Sequence, residues 1–414
     1  MIRLGVVGFG GYGWNLIEAI RKVSAQRPCR IVAAADTRMQ DFPDKVECLT
    51  RDGVELFDDA TKMYRDLRGK CDAVYIATSI SSHAPLVVAA AEAGYHVHLE
   101  KPPAATVQEV DRMIEAVEKA GVLCLVGFQA VHAKDVRFVK DCIVSGRLGK
   151  VRTIACRAGW PRNRKYYQRN DWAGKLTSGR HWVLDGPATN ALAHQLTNML
   201  LWASPREGHY AVPTAVRAEL YAARGAEPAA SRSHDTAAIE ILTADGTKAY
   251  FLASHCSESL FGPITEIRAE RGTLVWQGDR QATVHYADGY EETCPHDPEQ
   301  RLTMVTNFLD AVERGAGAGL RCTLHDARNM VLALNGAHES SRGVHAVDPK
   351  QTYRADDDTD AERTVVRGLD DLLNAAAQTP CLFSDLPDRA PWTVATEPFE
   401  LTAYDRFPTQ FRAD

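Results

Sequence analysis

Residues 8–13 read Gly-Phe-Gly-Gly-Tyr-Gly, a spacing that lets backbone turn tightly and approach a phosphate. Gly8, Gly10 and Gly13 hold the three fixed positions, with Phe9, Gly11 and Tyr12 between them. Glycine turns also serve plain packing, so the flanking sequence decides between the two uses. Residues 2–7 are a short apolar run of strand type, and residues 14–23 carry a helical pattern. Strand, glycine turn and helix in that order set a pyrophosphate at the positive end of a helix. A second apolar strand, residues 31–35, runs into Asp36, about 20 residues past the last glycine, where a carboxylate hydrogen-bonds the 2′-hydroxyl of an adenosine ribose. The chemistry implied is that of a nicotinamide-type dinucleotide. Asp36 favours NAD, because a carboxylate repels a 2′-phosphate. Arg38, just past Thr37, offers that phosphate a counter-charge and keeps NADP open.

The elements that must position these groups alternate. A strand over 71–77 ends at Ala77 and Thr78, a helix spans about 85–93, and Gly94 leads into the strand 96–99. A helix over about 107–119 stops at Gly121 before the strand 122–126. Such alternation predicts an α/β fold, a parallel sheet covered on both faces whose ligands bind at the carboxyl ends of its strands. Those ends are Gly8, Asp36, Thr78, Glu100-Lys101 and Gln129. Beyond about residue 150 the pattern changes to strands over 151–157, 215–221, 236–242, 248–255 and 264–270, with helices at 188–202 and 300–314. This predicts a second, α+β domain built on a large, mostly antiparallel open sheet. The polar, acidic stretch 349–360 reads as a linker or exposed loop, and the tail 361–414 as a helix, a Pro-rich stretch and a last strand near 399–404. The expected division is 1–127, a Rossmann domain; 128–345, a substrate and oligomerisation domain; and 346–414, a C-terminal extension.

Bulk composition narrows the class. The 414 residues are 45% hydrophobic and 25% charged with a formal net charge of −6, ordinary for globular domains and no basis for nucleic-acid binding. No apolar run is long enough to span a bilayer. The first strand begins at Ile2, so no secretory signal is expected ahead of it, and ten scattered cysteines without a Cys-x-x-Cys pair read as free thiols of a cytoplasmic protein. No tight ligand spacing indicates a metal site.

Glu100-Lys101-Pro102, the Ala77-Thr78 strand end with His83 beyond it, Gly94-Tyr95-His96-Val97, Gly127-Phe128-Gln129 and the segment 145–151 accompany the glycine turn. Together they resemble the glucose–fructose oxidoreductase / inositol dehydrogenase / MocA (Gfo/Idh/MocA) family over residues 1 to about 345. The resemblance implies that Lys101 reaches the nicotinamide and the reacting hydroxyl. An ammonium beside a carbinol oxygen stabilises the developing alkoxide, which supports that role. The resemblance also gives Glu100, His83 and Gln129 to the cofactor site, and the family histidine to His194. Read as one helix, 188–198 puts Asn190 and His194 on one face at i and i+4. The family usually has aspartate where Asn190 stands, so His194 is expected to be less basic than in relatives while still able to take a hydroxyl proton. Asp185 is the nearest other carboxylate, about 13 Å away along a helix at 1.5 Å per residue. Asp185-Gly186-Pro187 reads as a helix start with Asp185 as the cap, and a catalytic or substrate role as the alternative.

Between residues 160 and 175 stand Trp160, Arg162, Tyr166, Tyr167, Arg169, Asn170 and Trp172. Aromatic faces stack on sugar rings, and guanidinium and amide groups bind hydroxyls and carboxylates, so this segment is the candidate substrate site together with Lys101, Gln129 and His194. A solvated basic loop is the plain alternative; His234-Asp235 and His255 are weaker additions. The leading expectation is hydride transfer between NAD and a secondary alcohol of a sugar, glycoside, sugar acid or cyclitol, by a homo-oligomer, dimeric or tetrameric, with no nucleic-acid or membrane partner. An enzyme that keeps and recycles its NAD during glycoside cleavage or isomerisation is a second expectation, and a cofactor-binding sensor a third.

Overall fold

The computed structural model describes residues 1–224, 232–315, 319–356 and 359–413. The chain divides into two compact units, one made of Met1–Ala104, Gln108–Ala133 and Pro298–Arg328, the other of Ala105–Val107, Lys134–Asp297 and Asn329–Asp414.

The first unit holds six parallel strands: β1 (Ile2–Val7), β2 (Cys29–Ala35), β3 (Glu55–Phe57), β4 (Ala73–Ile76), β5 (His96–Leu99) and β6 (Cys124–Val126). Their order is β3-β2-β1-β4-β5-β6, so the direction of winding reverses between β1 and β4, where the crevice for a dinucleotide opens. This is the Rossmann fold. Strands β4 and β6 are buried at every residue, as apolar runs covered by helices on both faces must be. Helix Gly13–Ser24 follows the glycine turn and buries Leu16, Ile17 and Ile20. Met304, Val305, Phe308 and Leu309, from the distant helix Gln300–Arg314, complete the same core.

The second unit is built on a large mixed sheet. Its strands are β7 (Val151–Gly159), β10 (Pro213–Ala222), β11 (Thr236–Thr243), β12 (Lys248–Ser254), β13 (Phe261–Ala269), β14 (Gly272–Gln277), β15 (Gln281–Tyr286), β16 (Glu291–Pro295) and β17 (His345–Ala346), with β8 (Thr177–Ser178) and β9 (His181–Trp182) forming a separate small hairpin. The order is β16-β15-β14-β13-β7-β12-β11-β10-β17; only β12–β7 and β10–β17 pair in parallel. Antiparallel neighbours thus dominate, as the sequence predicts.

The stretch 349–360 is not a plain loop. Thr352–Ala355 (β18) pairs antiparallel with Arg363–Val366 (β19), so a polar segment forms one arm of a hairpin; residues 357–358 lie outside the described residues. Helix Leu369–Gln378 then lays Leu372, Leu373 and Ala376, with Phe383 and Trp392 beyond it, on Ala155, Tyr250 and Leu252 of the sheet. A final short strand, β20 (Phe399–Glu400), adds to β10. The chain end is held by Glu339, whose buried carboxylate accepts hydrogen bonds from the Tyr404 hydroxyl (2.7 Å) and the backbone N–H groups of Thr409 (2.6 Å), Gln410 (2.7 Å) and Phe411 (2.8 Å). Phe407 lies edge-on to Trp182 with ring centres 5.2 Å apart.

Candidate active site

In the first unit the glycine turn is fixed by its own backbone. Gly8 has φ +82°, and a Cβ there would lie 2.5 Å from the Ala77 carbonyl oxygen, so only glycine fits. At Gly13 a Cβ would collide with the Gly8 carbonyl, which lets the following helix start directly against β1. Gly11 faces open space. The helix behind the turn has no acidic residue in its first turn and no side-chain cap, so its positive end is uncompensated. Asp36, at the end of β2, accepts hydrogen bonds from the N–H of Gly10 (2.9 Å) and of Arg38 (3.0 Å). These features fit a dinucleotide pyrophosphate and ribose. Phe9 is fully buried in the core and takes part only through its backbone. Thr37 is exposed, and Arg38, exposed too, extends toward Asp41 at 4.0 Å.

The turn carrying Lys101 is braced from two strand ends. His83, in helix Ile80–Glu92, is buried with Nδ1 2.9 Å from the Pro102 carbonyl and Nε2 3.2 Å from the Thr78 carbonyl. It ties the end of β4 to the segment after β5. Burial pushes its imidazole down to about 4, against the pull of the neighbouring carbonyls. Glu100 accepts a bond from the Lys101 N–H (3.2 Å), and its other oxygen is buried without a partner. A Cβ at Gly127 would lie 2.9 Å from that oxygen. Burial raises the Glu100 carboxyl to about 7, with Lys101 opposing the rise. The Tyr12 hydroxyl donates to Gln129 Oε1 (2.7 Å) and accepts from Arg301 Nε (3.2 Å). Arg301 and Lys45, whose Nζ donates to the Gly10 carbonyl (2.6 Å), were not legible as site residues; no local motif marks either.

In the second unit the structure corrects two expectations. Pro187–Ala191 is a single π turn, closed by the Leu192 N–H on the Pro187 carbonyl (2.8 Å), and the α-helix begins only at Ala193. Leu192 at φ −113°, ψ 18° interrupts the run, so Asn190 and His194 do not share one continuous α-helical face. Asp185 is not a helix cap. Its carboxylate accepts from the Gly174 N–H (2.6 Å), Arg169 (3.2 Å) and the Asn190 amide (2.9 Å). The asparagine that stands in place of the family aspartate is thus bonded to a carboxylate from five residues upstream. His194 is partly exposed in the first turn of helix Ala193–Ala203.

The aromatic–cationic segment gathers into one cluster. Arg162 lies over the rings of Trp160 (5.3 Å) and Tyr166 (4.7 Å), and Arg169 over those of Tyr166 (3.8 Å) and Trp172 (5.3 Å). Tyr167 carries Arg224 on its face at 3.5 Å, and its hydroxyl meets His255 Nδ1 at 3.3 Å. The Asn170 side-chain oxygen accepts the Trp172 N–H (3.2 Å), so that atom serves the loop itself. Asp235 pairs with Arg224 (3.5 Å), and His234 is buried beside His338.

Residues 2–128 match the profile of an oxidoreductase family described as having an NAD-binding Rossmann fold. That stretch is similar to the Gfo/Idh/MocA nucleotide domain. Myo-inositol 2-dehydrogenase of Thermotoga maritima is 30% identical over 151 residues, 36% of this chain and 42% of that enzyme. A 2,7-anhydro-N-acetylneuraminate hydratase of Mediterraneibacter gnavus is 31% identical over 157 residues, 37% of this chain and 39% of its own. These alignments thus span about two fifths of either relative. Among solved structures, levoglucosan dehydrogenase with NADH superposes at TM-score 0.69 and 20% identity, covering 82% of this chain and 96% of that one. The WlbA dehydrogenase of Bordetella pertussis, bound to NADH and UDP-GlcNAcA, gives 0.67 at 22% identity with the same coverage. The likeness in fold to these two dehydrogenase structures therefore extends beyond the nucleotide domain. No helix among the described residues is long and apolar enough to cross a membrane.

Proposed function

We propose that the chain is an NAD-dependent oxidoreductase that moves hydride between the nicotinamide and a secondary alcohol of a sugar, sugar acid, glycoside or cyclitol. The observation that carries this is one sheet whose carboxyl edge presents the glycine turn, Asp36 bonded to it, and Lys101 in a turn braced by His83. Gly8 to Gly13 hold the pyrophosphate, Asp36 the adenosine ribose, and Thr78, His83, Glu100 and Gln129 frame the rest of the cofactor. Bound NAD supplies the hydride acceptor. Lys101 stabilises the substrate oxygen as it gains negative charge, and His194 takes the hydroxyl proton. Asn190 and Asp185 position the segment leading to His194, and Trp160, Arg162, Tyr166, Tyr167, Arg169, Asn170 and Trp172 contribute to recognition of the sugar. The first unit, with residues 298–328 added to its N-terminal part, serves the cofactor, the second the substrate and self-association, and 346–414 form an extension of the second; the chain works in the cytoplasm as a homo-oligomer.

The test is NADH absorbance after mixing protein, NAD and a panel of hexoses, glycosides, uronates and cyclitols, with Lys101→Ala beside it. A signal abolished by the substitution supports net oxidation. Asparagine at 190 and the hydratase relative favour a second reading, in which NAD stays bound and is restored within each turnover. In that case the panel produces no free NADH, and changed sugars are found in the same mixtures.

A further inference from the structure

Three guanidinium groups, Arg162, Arg169 and Arg224, surround His255, against two carboxylates. Arg169 is matched by Asp185 at 3.2 Å and Arg224 by Asp235 at 3.5 Å. Both carboxylates are fully engaged, Asp185 by Gly174 and Asn190 and Asp235 by the N–H groups of Ala223 and Arg224. Neighbouring Arg164 takes Glu362 at 3.0 Å. Arg162 therefore has no carboxylate within ion-pair distance among the described residues, although its guanidinium is held firmly over Trp160 and Tyr166. Its backbone N–H donates to the His255 carbonyl (3.0 Å), which fixes it to the strand end that carries the imidazole.

Three nitrogens in this corner are buried without a hydrogen-bond partner, and one of them, Arg224 Nε, still faces Asp235 at 3.5 Å. Arg162 Nε is buried without a partner, and so is Nε2 of His255, a residue only 2% exposed. The Tyr167 hydroxyl lies 3.3 Å from Nδ1, and in the tautomer in which it donates there the imidazole hydrogen stands on Nε2. Buried N–H groups without acceptors are rare and costly, and each calls for an oxygen. Among the described residues one guanidinium of this corner has no carboxylate, and its planar fork matches a planar monoanion better than a phosphate dianion, which calls for a second cation.

We infer that the corner formed by Arg162 and His255 binds the carboxylate of the substrate, so that the sugar acted on is a sugar acid. This rests on the sugar-oxidoreductase reading above.

The test titrates full-length protein, with NADH present, calorimetrically with D-glucuronate, D-glucose and D-glucose 6-phosphate. NADH affinity is measured separately by fluorescence. Glucuronate is expected to bind at least ~10-fold more tightly than either of the others, the scale of one charge-assisted hydrogen bond. Arg162→Gln should bring glucuronate down to the level of glucose, Arg162→Lys should fall between, and His255→Gln should weaken glucuronate alone. NADH affinity should be unchanged in every variant. Equal binding of glucuronate and glucose, tighter binding of the phosphate, no glucuronate binding, or indifference to Arg162→Gln would each overturn the inference. The lysine variant, which keeps the charge, guards against a glutamine variant that merely unfolds. Absence of NADH binding in the unaltered protein would instead refute the oxidoreductase reading itself.

Discussion

His83 and Glu100 brace the same turn and are displaced in opposite senses, so their effects on stability should cancel until one is removed. The imidazole falls from 6.5 to about 4 on folding. Between those values the unfolded chain binds a proton that the native state refuses. Stability from His83 is therefore full above pH 6.5 and is lost as pH falls toward 4. The Glu100 carboxyl rises from 4.5 to about 7, so its contribution is full below pH 4.5 and is lost as pH rises toward 7. At 1.36 kcal/mol per unit, each effect amounts to about 3 kcal/mol over its window. From pH 4.5 to 6.5 the two slopes are equal and opposite. Glu100→Gln should expose the His83 slope, giving a protein whose stability, relative to wild type, drops by about 3 kcal/mol as pH is lowered from 7 to 4.5. His83→Gln should expose the Glu100 slope and drop by a similar amount as pH is raised over the same range. Urea unfolding at half-unit pH steps, read by hydrogen exchange in peptides spanning residues 73–103, measures both differences. Using the difference from wild type removes the titration of every other group. Parallel profiles for wild type and both variants would show that neither group is buried as described.

Asp36→Ser replaces the carboxylate that accepts the Gly10 N–H by a neutral hydroxyl and removes the charge that opposes a 2′-phosphate, so the NADPH-to-NADH affinity ratio should rise at least ~10-fold by fluorescence titration; an unchanged ratio contradicts the assignment. Asn190→Asp restores the residue usual in the family, yet it replaces a donor 2.9 Å from Asp185 by a second carboxylate. The variant should melt lower at pH 8, by a loss of about 2 kcal/mol, and recover toward pH 5 as the pair retains one proton; equal melting at pH 8 would sink the idea. Glu339→Ala leaves three backbone N–H groups and the Tyr404 hydroxyl without their acceptor. A local loss of about 3 kcal/mol should appear as faster hydrogen exchange in residues 404–411, with the first unit unaffected.

Five of the six strands of the nucleotide half were legible because each is a short apolar run that stops at a candidate site residue, whether Gly8, Asp36, Thr78, Glu100 or Gln129; β3, three residues long with Glu55 exposed, carries no such pattern. Local pattern and tertiary role coincide there. They part company at residues 185–194. Pro-Ala-Thr-Asn-Ala-Leu-Ala-His contains nothing that forbids a regular helix, and the π turn is set by what surrounds it. Asp-Gly-Pro looks like a helix start, while the carboxylate of Asp185 is drawn to Gly174 and Arg169, contacts that no local spacing can announce. Residues 352–355 were too polar to suggest a strand, but a hairpin needs only a partner, and Arg363–Val366 supplies it. Arg301 was hidden for the same reason: its value lies in reaching Tyr12 from the far end of the chain.

The first unit's core closes only when Met304, Val305, Phe308 and Leu309 arrive to pack with Leu16, Ile17 and Ile20. On the ribosome, all of residues 134–297 must be made between the sixth strand of the nucleotide domain and the helix that finishes it. At a synthesis rate of about 5–20 residues per second, that interval lasts roughly 8–30 s. During it the nascent chain carries an apolar groove where the helix will dock. The usual order, in which an N-terminal domain folds as soon as it is made, is therefore delayed: the glycine turn emerges first, but the domain that contains it is whole only once residues 298–328 have been made.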